Sequence, residues 1–251
     1  MAFKDFPDQC LMNDLQVLEA INAALAKRNP FSLVRVGDGE NIILAQQTLL
    51  SIPEVMNSYW VRQSESGKGK GVTLPNFELR DQMITAIKKA DIVGVCRLKN
   101  DPVSAPRKYK RELTNALFDL YRIQPSRLCH VFVNRQMVSR RLFWKIIHRY
   151  RTLLISKWWQ EYAQKIIKQY PRLKPNICGG ISLTHFDQIP AVLKKVQKCR
   201  FDLALISTGV NALVLASEIA EHYGKVAIDF GKTMMYTVRP CNRIKPWLPK
   251  Q

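Results

Sequence analysis

Acidic residues are scarce in this chain: 20 Asp and Glu stand against 39 Lys and Arg in 251 residues, a formal net charge of +19. The imbalance points to anionic partners, whether nucleic acid, an acidic membrane surface or a phosphorylated substrate, without choosing among them. No uninterrupted apolar run approaches the ~20 residues that a bilayer-spanning helix needs. The opening residues, Met1 to Asp8, lack the apolar core of a signal peptide. Metal-binding spacings of cysteine are missing as well. Cys10, Cys96, Cys129, Cys178, Cys199 and Cys241 are scattered, with no CxxC and no Cys/His pairing. That excludes a zinc finger, and buried free thiols in a reducing, cytoplasmic compartment are expected instead. GxxxxGK[ST] is satisfied nowhere, so a P-loop is excluded. No repeat, low-complexity tract or long linker divides the chain, and residues 1–251 are expected to form a single domain.

What the chain does have is alternation. Apolar, β-rich runs at 32–36, 91–95, 128–133, 151–155, near 175–178, 202–206 and 225–228 take turns with segments of helical period. Those helices are expected at 11–28, 40–50, 76–90, 107–122, 138–149, 157–169, 186–198 and 210–223. The pattern predicts an α/β fold, a Rossmann-like, mainly parallel sheet with helices on both faces. Residues 62–75, where Lys68 and Lys70 alternate with three glycines, are expected to form a flexible cationic loop over a site.

Ligands of open α/β sheets bind beyond the carboxyl ends of the strands. Read from the sequence, those ends deliver Gly37-Asp38-Gly39-Glu40, Arg97, Asn134 with Arg135, Ser156, Gly179-Gly180-Ile181-Ser182, Ser207-Thr208-Gly209-Val210-Asn211 and Asp229-Phe230-Gly231-Lys232. Small, polar and charged residues therefore gather where a ligand should sit.

The first of these ends is the most informative. In Ser32–Asn41 a strand runs into two carboxylates bracketed by glycines, with Arg35 two residues before Gly37. Asp38 and Glu40 offer hard oxygen ligands for Mn²⁺ or Mg²⁺. Gly37 and Gly39 let backbone approach a bulky ligand, and Arg35 would sit near phosphate that the cation leaves uncovered. The alternative is an ordinary turn in which Asp38 caps the next helix. The turn after strand 202–206 is a second phosphate candidate. There Thr208, Gly209 and Asn211 precede an Ala/Leu-rich helix whose first N–H groups would face an anion; a plain capped βα turn is the alternative.

Together, Val34-Arg35-Val36-Gly37-Asp38-Gly39-Glu40 and the later Leu203–Ala220 with Gly224–Gly231 resemble the R-x-G-D-G-E signature and the C-terminal strand–glycine–helix–strand block of GT-D type glycosyltransferases. The resemblance covers two blocks, about a fifth of the chain. It implies that Asp38 and Glu40 match the family's DXE metal carboxylates. It also implies transfer of a glycosyl group from a nucleoside-diphosphate sugar, a UDP-sugar first among them, to a glycan or lipid-linked acceptor. Where the family follows its D-x-G step with His and acidic residues, this chain has none between Phe230 and Arg239. Asp229, His185 and Glu65 are the candidates for a base that would deprotonate the acceptor, with Asp229 and His185 placed first. Arg35, Lys68 or Arg97 could absorb the charge that develops on the leaving diphosphate.

Residues 137–175 hold ten Lys or Arg against the one acid Glu161. Helical projection puts Val138, Leu142, Phe143, Ile146, Ile147 and Tyr150 on one half of the first helix there, and Arg140, Arg141, Trp144, Lys145 and His148 on the other. In the second helix Trp158, Trp159, Tyr162, Ile166 and Ile167 are expected to face inward. The cationic halves would suit peripheral contact with an anionic membrane carrying the acceptor, on its cytoplasmic face. They would also suit the rival reading, a nucleic-acid-binding protein on an α/β scaffold with Trp144 free to stack. A nucleotide-binding relative without turnover is the third reading.

Overall fold

The architecture is taken from a computed structural model that describes residues 6–65, 71–169, 171, 172 and 174–239. Its strands are β1 (Leu11–Met12), β2 (Phe31–Val36), β3 (Ile92–Val95), β4 (Leu128–His130), β5 (Thr152–Ile155), β6 (Ile177–Ile181), β7 (Leu203–Ile206) and β8 (Val226–Asp229). All pair in parallel, in the order β1-β4-β3-β2-β8-β7-β5-β6. The fold class read from alternation is the one observed. Strands β3, β5, β7 and β8 are buried at every residue and apolar but for Thr152 and Asp229, as parallel strands covered on both faces must be.

The helices are α1 (Asp14–Lys27), α2 (Asp38–Leu44), α3 (Ile52–Met56), α4 (Tyr59–Glu65), α5 (Phe77–Lys89), α6 (Arg111–Leu120), α7 (Val133–Met137), α8 (Arg141–Arg149), α9 (Trp159–Gln169), α10 (Ile189–Val196), α11 (Asn211–Tyr223) and α12 (Thr233–Val238). Two cores flank the sheet. One gathers Ile42, Leu44, Leu79, Met83, Leu117, Val192 and Leu213 from α2, α5, α6, α10 and α11. The other gathers Val17, Ile21, Met137, Phe143, Tyr162 and Met234 from α1, α7, α8, α9 and α12. Local chemistry sets the helix ends. Asn13 and Gln16 form a reciprocal capping box at the start of α1. Gly224, in the left-handed region at φ 62, ends α11.

Chain order fixes where a ligand can enter. After β2 the chain moves out through β3 to β4, then crosses to β5 and β6 and returns through β7 to β8, next to β2. The connections above β2 and β8 therefore diverge and open a crevice at their carboxyl ends.

Several boundaries move. Leu11 and Met12 form a short edge strand paired with β4 rather than the first turn of α1, because the Asn13 cap stops the helix there. The apolar run 128–133 splits: only Leu128–His130 pair, and Val133–Met137 turn helical. Gly179 and Gly180 lie inside β6 instead of following it, and a Cβ on Gly180 would collide with the Trp159 indole. Trp144, placed on the cationic half by projection, is 1% exposed and donates Nε1–H to the Val138 carbonyl. Ile167 turns outward at 51% exposure. Of the expected loop 62–75, residues through Glu65 continue α4, and Lys68 and Lys70 lie outside the described residues. Of the cysteines, Cys96 and Cys129 are buried, Cys10 and Cys178 are exposed and Cys199 is intermediate; all five are free thiols, and Cys241 lies outside the described residues.

Candidate functional site

Strand β2 carries Leu33 into one core and Val34 and Val36 into the other, so alternation points Arg35 toward the α1 side. Its guanidinium reaches over the sheet end and is held at three points. Nε donates to the Asp229 carbonyl at 3.1 Å, Nη1 to the Val131 carbonyl at 3.0 Å, and Nη2 to Asp229 Oδ1 at 2.9 Å. Gly94 on β3 leaves room for the side chain, since a Cβ there would lie 3.0 Å from Arg35 Cγ.

Asp229 ends β8 and is fully buried. Its Oδ1 also accepts from the Gly231 N–H at 2.9 Å, and its Oδ2 has no hydrogen-bond partner among the described residues. Burial pushes its pKa up, against the pull of Arg35. Burial opposes the Arg35 charge in turn, but Asp229 and Glu40 together outweigh it and raise the guanidinium's pKa.

Asp38 and Glu40 open α2, one helical residue apart across Gly39, and both are half-buried at the rim. Glu40 Oε2 accepts from the Gly37 N–H at 3.0 Å, which closes the first turn. Asp38 Oδ2 is held by the Tyr59 hydroxyl of α4. Burial raises the Tyr59 pKa, with the Asp38 charge adding to it, so the phenol stays a donor. Gly39 lies so close to Trp60 that a Cβ would overlap the indole. The carboxylates repel one another: burial first, then Asp229 and Asp38, push the Glu40 pKa up to about 7 even with Arg35 nearby. Asp229 and Glu40 thus share the Arg35 guanidinium, and Asp38 adds its charge on Glu40. Among the described residues no three His, Cys, Asp or Glu side chains converge on one point. A cation held here would complete its shell with ligand oxygens and water.

The neighbouring strand end extends the rim. Ile206 of β7 pairs with Asp229, so Ser207, Thr208 and Gly209 lie beside the crevice. Ser207 Oγ, Thr208 Oγ1 and Asn211 Oδ1 are buried without hydrogen-bond partners among the described residues. Asn211 Nδ2 donates to the Gly71 carbonyl at 2.8 Å, which also accepts from the Phe186 N–H. Uncommitted buried polar atoms at the start of a thirteen-residue helix suit a polar or anionic ligand.

Two other expected residues have partners outside the carboxylate cluster. Arg97 lines a separate cleft of about 380 Å³ with Asp8, His130 and Arg140, on the β4 side of the sheet. His185 follows β6, with Nδ1 3.0 Å from Asp187 Oδ2 and Nε2 3.3 Å from Thr73 Oγ1. Nothing is described of the Glu65 side chain. Sequence reading missed Tyr59 and Trp60, which sit in a helix with no local signal of contact with Asp38 and Gly39. It placed Asn134 at the rim without its role: Nδ2 ties α7 to the Phe230 carbonyl at 2.7 Å and to Thr233 Oγ1 at 2.9 Å.

Comparison with known proteins follows this geometry. A search of curated proteins finds no match. Among solved structures, two of domain of unknown function 1792 align with 88% of this chain and 77% of theirs, at 15% and 16% identity and a TM-score of 0.49. One of them is described as having a distinct glycosyltransferase fold. The model of the GT-D fold-like domain matches residues 12–237, and the chain belongs to the GT-D-like family of glycosyltransferase folds.

Proposed function

We propose that this protein transfers a glycosyl group from a nucleoside-diphosphate sugar, UDP-linked in the first instance, to a glycan or lipid-linked acceptor, with Mn²⁺ or Mg²⁺ held by Asp38 and Glu40. The observation that carries this reading is the meeting of Asp38, Glu40, Asp229 and Arg35 at the β2–β8 crevice. The donor set fits a hard divalent cation: the oxygens are carboxylates, and Tyr59 holds Asp38 by its Oδ2. When bound, such a cation neutralises the diphosphate and steadies the charge that develops as it departs.

The chain's own residues carry the rest. Arg35 fixes Asp229 and the Val131 carbonyl, and so sets the shape of the crevice. Thr208, Gly209 and Asn211 line the adjoining turn for the nucleotide. Of the two bases proposed, Asp229 stands within the carboxylate cluster and offers an unengaged Oδ2, while His185 stands outside it. We assign the acceptor hydroxyl's proton to Asp229: the acceptor oxygen bonds to the anomeric carbon as the bond from that carbon to the diphosphate oxygen breaks, and the electron pair leaves with the diphosphate. The exposed cations Arg141, Lys145 and Arg149 of α8 support docking on an anionic surface where a lipid-linked acceptor would lie. No helix among the described residues is long and apolar enough to cross a membrane. The nucleic-acid reading loses its stacking residue, since Trp144 is buried.

Calorimetric titration of UDP and other nucleoside diphosphates, with Mn²⁺ and with EDTA, tests the reading on wild type and Asp38→Asn. Cation-dependent binding that disappears in the variant is expected. A wild-type protein that binds no nucleoside diphosphate with either cation would overturn it.

A further inference from the structure

The arginines near the crevice differ in what holds them. Arg35 is bound at three points. Arg111, buried below, gives its N–H groups to the Cys96 and Phe6 carbonyls and to Asn115. Arg135, on the short helix α7, has no carbonyl or carboxylate acceptor among the described residues; the Tyr236 hydroxyl alone is within hydrogen-bonding reach of it. It is half-buried, and its Nε is enclosed without a hydrogen-bond partner among the described residues. Nor does a described carboxylate approach it within ion-pair distance. Two rings hold its plane instead: the Phe132 ring centroid lies 3.8 Å from Cζ and that of Tyr236 lies 5.0 Å away.

Position adds to this. The preceding residue, Asn134, ties α7 to Phe230 and Thr233 on either side of Gly231, and a Cβ on Gly231 would touch both Asn134 and Arg35. Arg135 therefore flanks the crevice between α7 and α12, close enough for the Arg35 charge to act on it. Burial, with that like charge added and only Tyr236 working against it, pulls its pKa down to about 10. A guanidinium kept charged, desolvated and next to a second arginine is unfavourable unless an anion joins it. Aromatic stacking holds the planar fork in one orientation and leaves its edge for hydrogen bonds, the geometry in which arginine takes phosphate.

We propose that Arg135 binds the outer phosphate of the donor's diphosphate, across the crevice from Asp38 and Glu40. The inference rests on the transferase reading and names a residue for its leaving group. Arg135 would then counter the charge left on the departing diphosphate, while Arg35 holds Asp229.

The test compares wild type, Arg135→Gln, Arg135→Lys and Asp38→Asn by calorimetry with Mn²⁺ and UDP, UMP or inorganic pyrophosphate, and by thermal unfolding without ligand. Arg135→Gln should weaken UDP by roughly 10- to 100-fold, the range for one charge-assisted phosphate contact, and UMP by less than about threefold. Arg135→Lys should recover part of the loss. The ligand-free midpoint should stay within about 2 °C or rise, since a buried cation with no carboxylate partner is removed. If Arg135→Gln keeps the wild-type ratio of UDP to UMP affinity while Asp38→Asn loses UDP, the Arg135 assignment is overturned and the transferase reading stands. Pyrophosphate binding that needs Arg135, with no nucleotide binding, would support the anion contact and overturn the nucleoside-diphosphate donor. A wild type that binds neither overturns both.

Discussion

Replacing Gly231 by alanine should unfold this protein far more readily than the same change at Gly224, and the difference measures the packing of the crevice. Both glycines sit in the left-handed region, at φ 55 and φ 62. Alanine in that region costs about 1–2 kcal/mol at either position. Gly224 faces open space, with nothing within 4 Å of where its Cβ would stand. Gly231→Ala adds a collision: the new Cβ would lie 2.5 Å from Arg35 Nη2, 2.7 Å from Cζ and 2.7 Å from Asn134 Nδ2. None of these atoms is a loose side-chain end. Arg35 is pinned by three hydrogen bonds and Asn134 by two.

Making room means loosening at least one charge-assisted bond of a nearly buried pair, whose side chains are 11% and 1% exposed. Such a bond contributes about 1.5–3 kcal/mol, and fully uncoupling a buried pair costs about 3–5 kcal/mol. The expected totals are therefore about 1–2 kcal/mol for Gly224→Ala and about 3–6 kcal/mol for Gly231→Ala. At about 2–4 °C per kcal/mol for a chain of this size, the midpoints should fall by roughly 2–8 °C and 6–24 °C. Urea unfolding followed by circular dichroism gives both numbers directly. Two variants that differ by less than about 1 kcal/mol would mean that Arg35 and Asn134 are free to move, and the pinned crevice described here would be wrong.

Other consequences can be checked with the same protein. Tyr59→Phe removes the donor on Asp38 Oδ2 and should weaken cation-dependent diphosphate binding about tenfold by calorimetry; unchanged affinity would mean that Asp38 needs no such support. Gly39→Ala drives a methyl into the Trp60 indole and should shift Trp fluorescence and lower the unfolding midpoint. Asp101 gives a pH dependence. Its carboxylate, 4% exposed, accepts from His130 Nε2 at 3.1 Å and from the Arg97 and Val103 N–H groups. Although burial works the other way, these bonds hold its pKa below the usual carboxylate value. A depressed folded-state pKa stabilises above the unfolded value near 3.9 and ceases to do so as pH falls through the folded one. Asp101→Asn should lower stability at pH 7 by about 2–4 kcal/mol and show a shallower loss between pH 5 and pH 3 than wild type in urea titrations; parallel acid profiles would remove Asp101 as the source.

How much of this was legible in the sequence follows from the range of each signal. The parallel sheet was readable because buried strands such as Leu203–Ile206 and Ile92–Val95 are continuous apolar runs, set apart by helical periods. The carboxylate pair was readable because Gly37–Glu40 keeps strand end, turn and ligands within a few residues. Strand order was not in any local pattern. Asp229 meets Arg35 across 194 residues because β8 returns beside β2, so a sequence that displays both residues does not show the pair. Arg97 and His185 follow strand ends like the others, yet Arg97 lines a cleft with His130 and Arg140 and His185 meets Thr73, neither of which a local pattern shows. Helical projection failed at Trp144 because it assumes one buried face. The helix α8 instead buries Trp144 beside Phe143 and satisfies its indole N–H at Val138, just before the helix starts. The split of 128–133 is the most instructive case. A strand six residues long would have carried Asn134 and Arg135 straight out along the β4 direction. Pairing stops at His130, the Val131 carbonyl is used by Arg35, and the chain folds over the sheet end toward Phe230. That bend brings two polar residues of a third strand connection into the β2–β8 crevice. A site made by such a crossing is specified by tertiary contacts, and those become visible only when the strands are set in order.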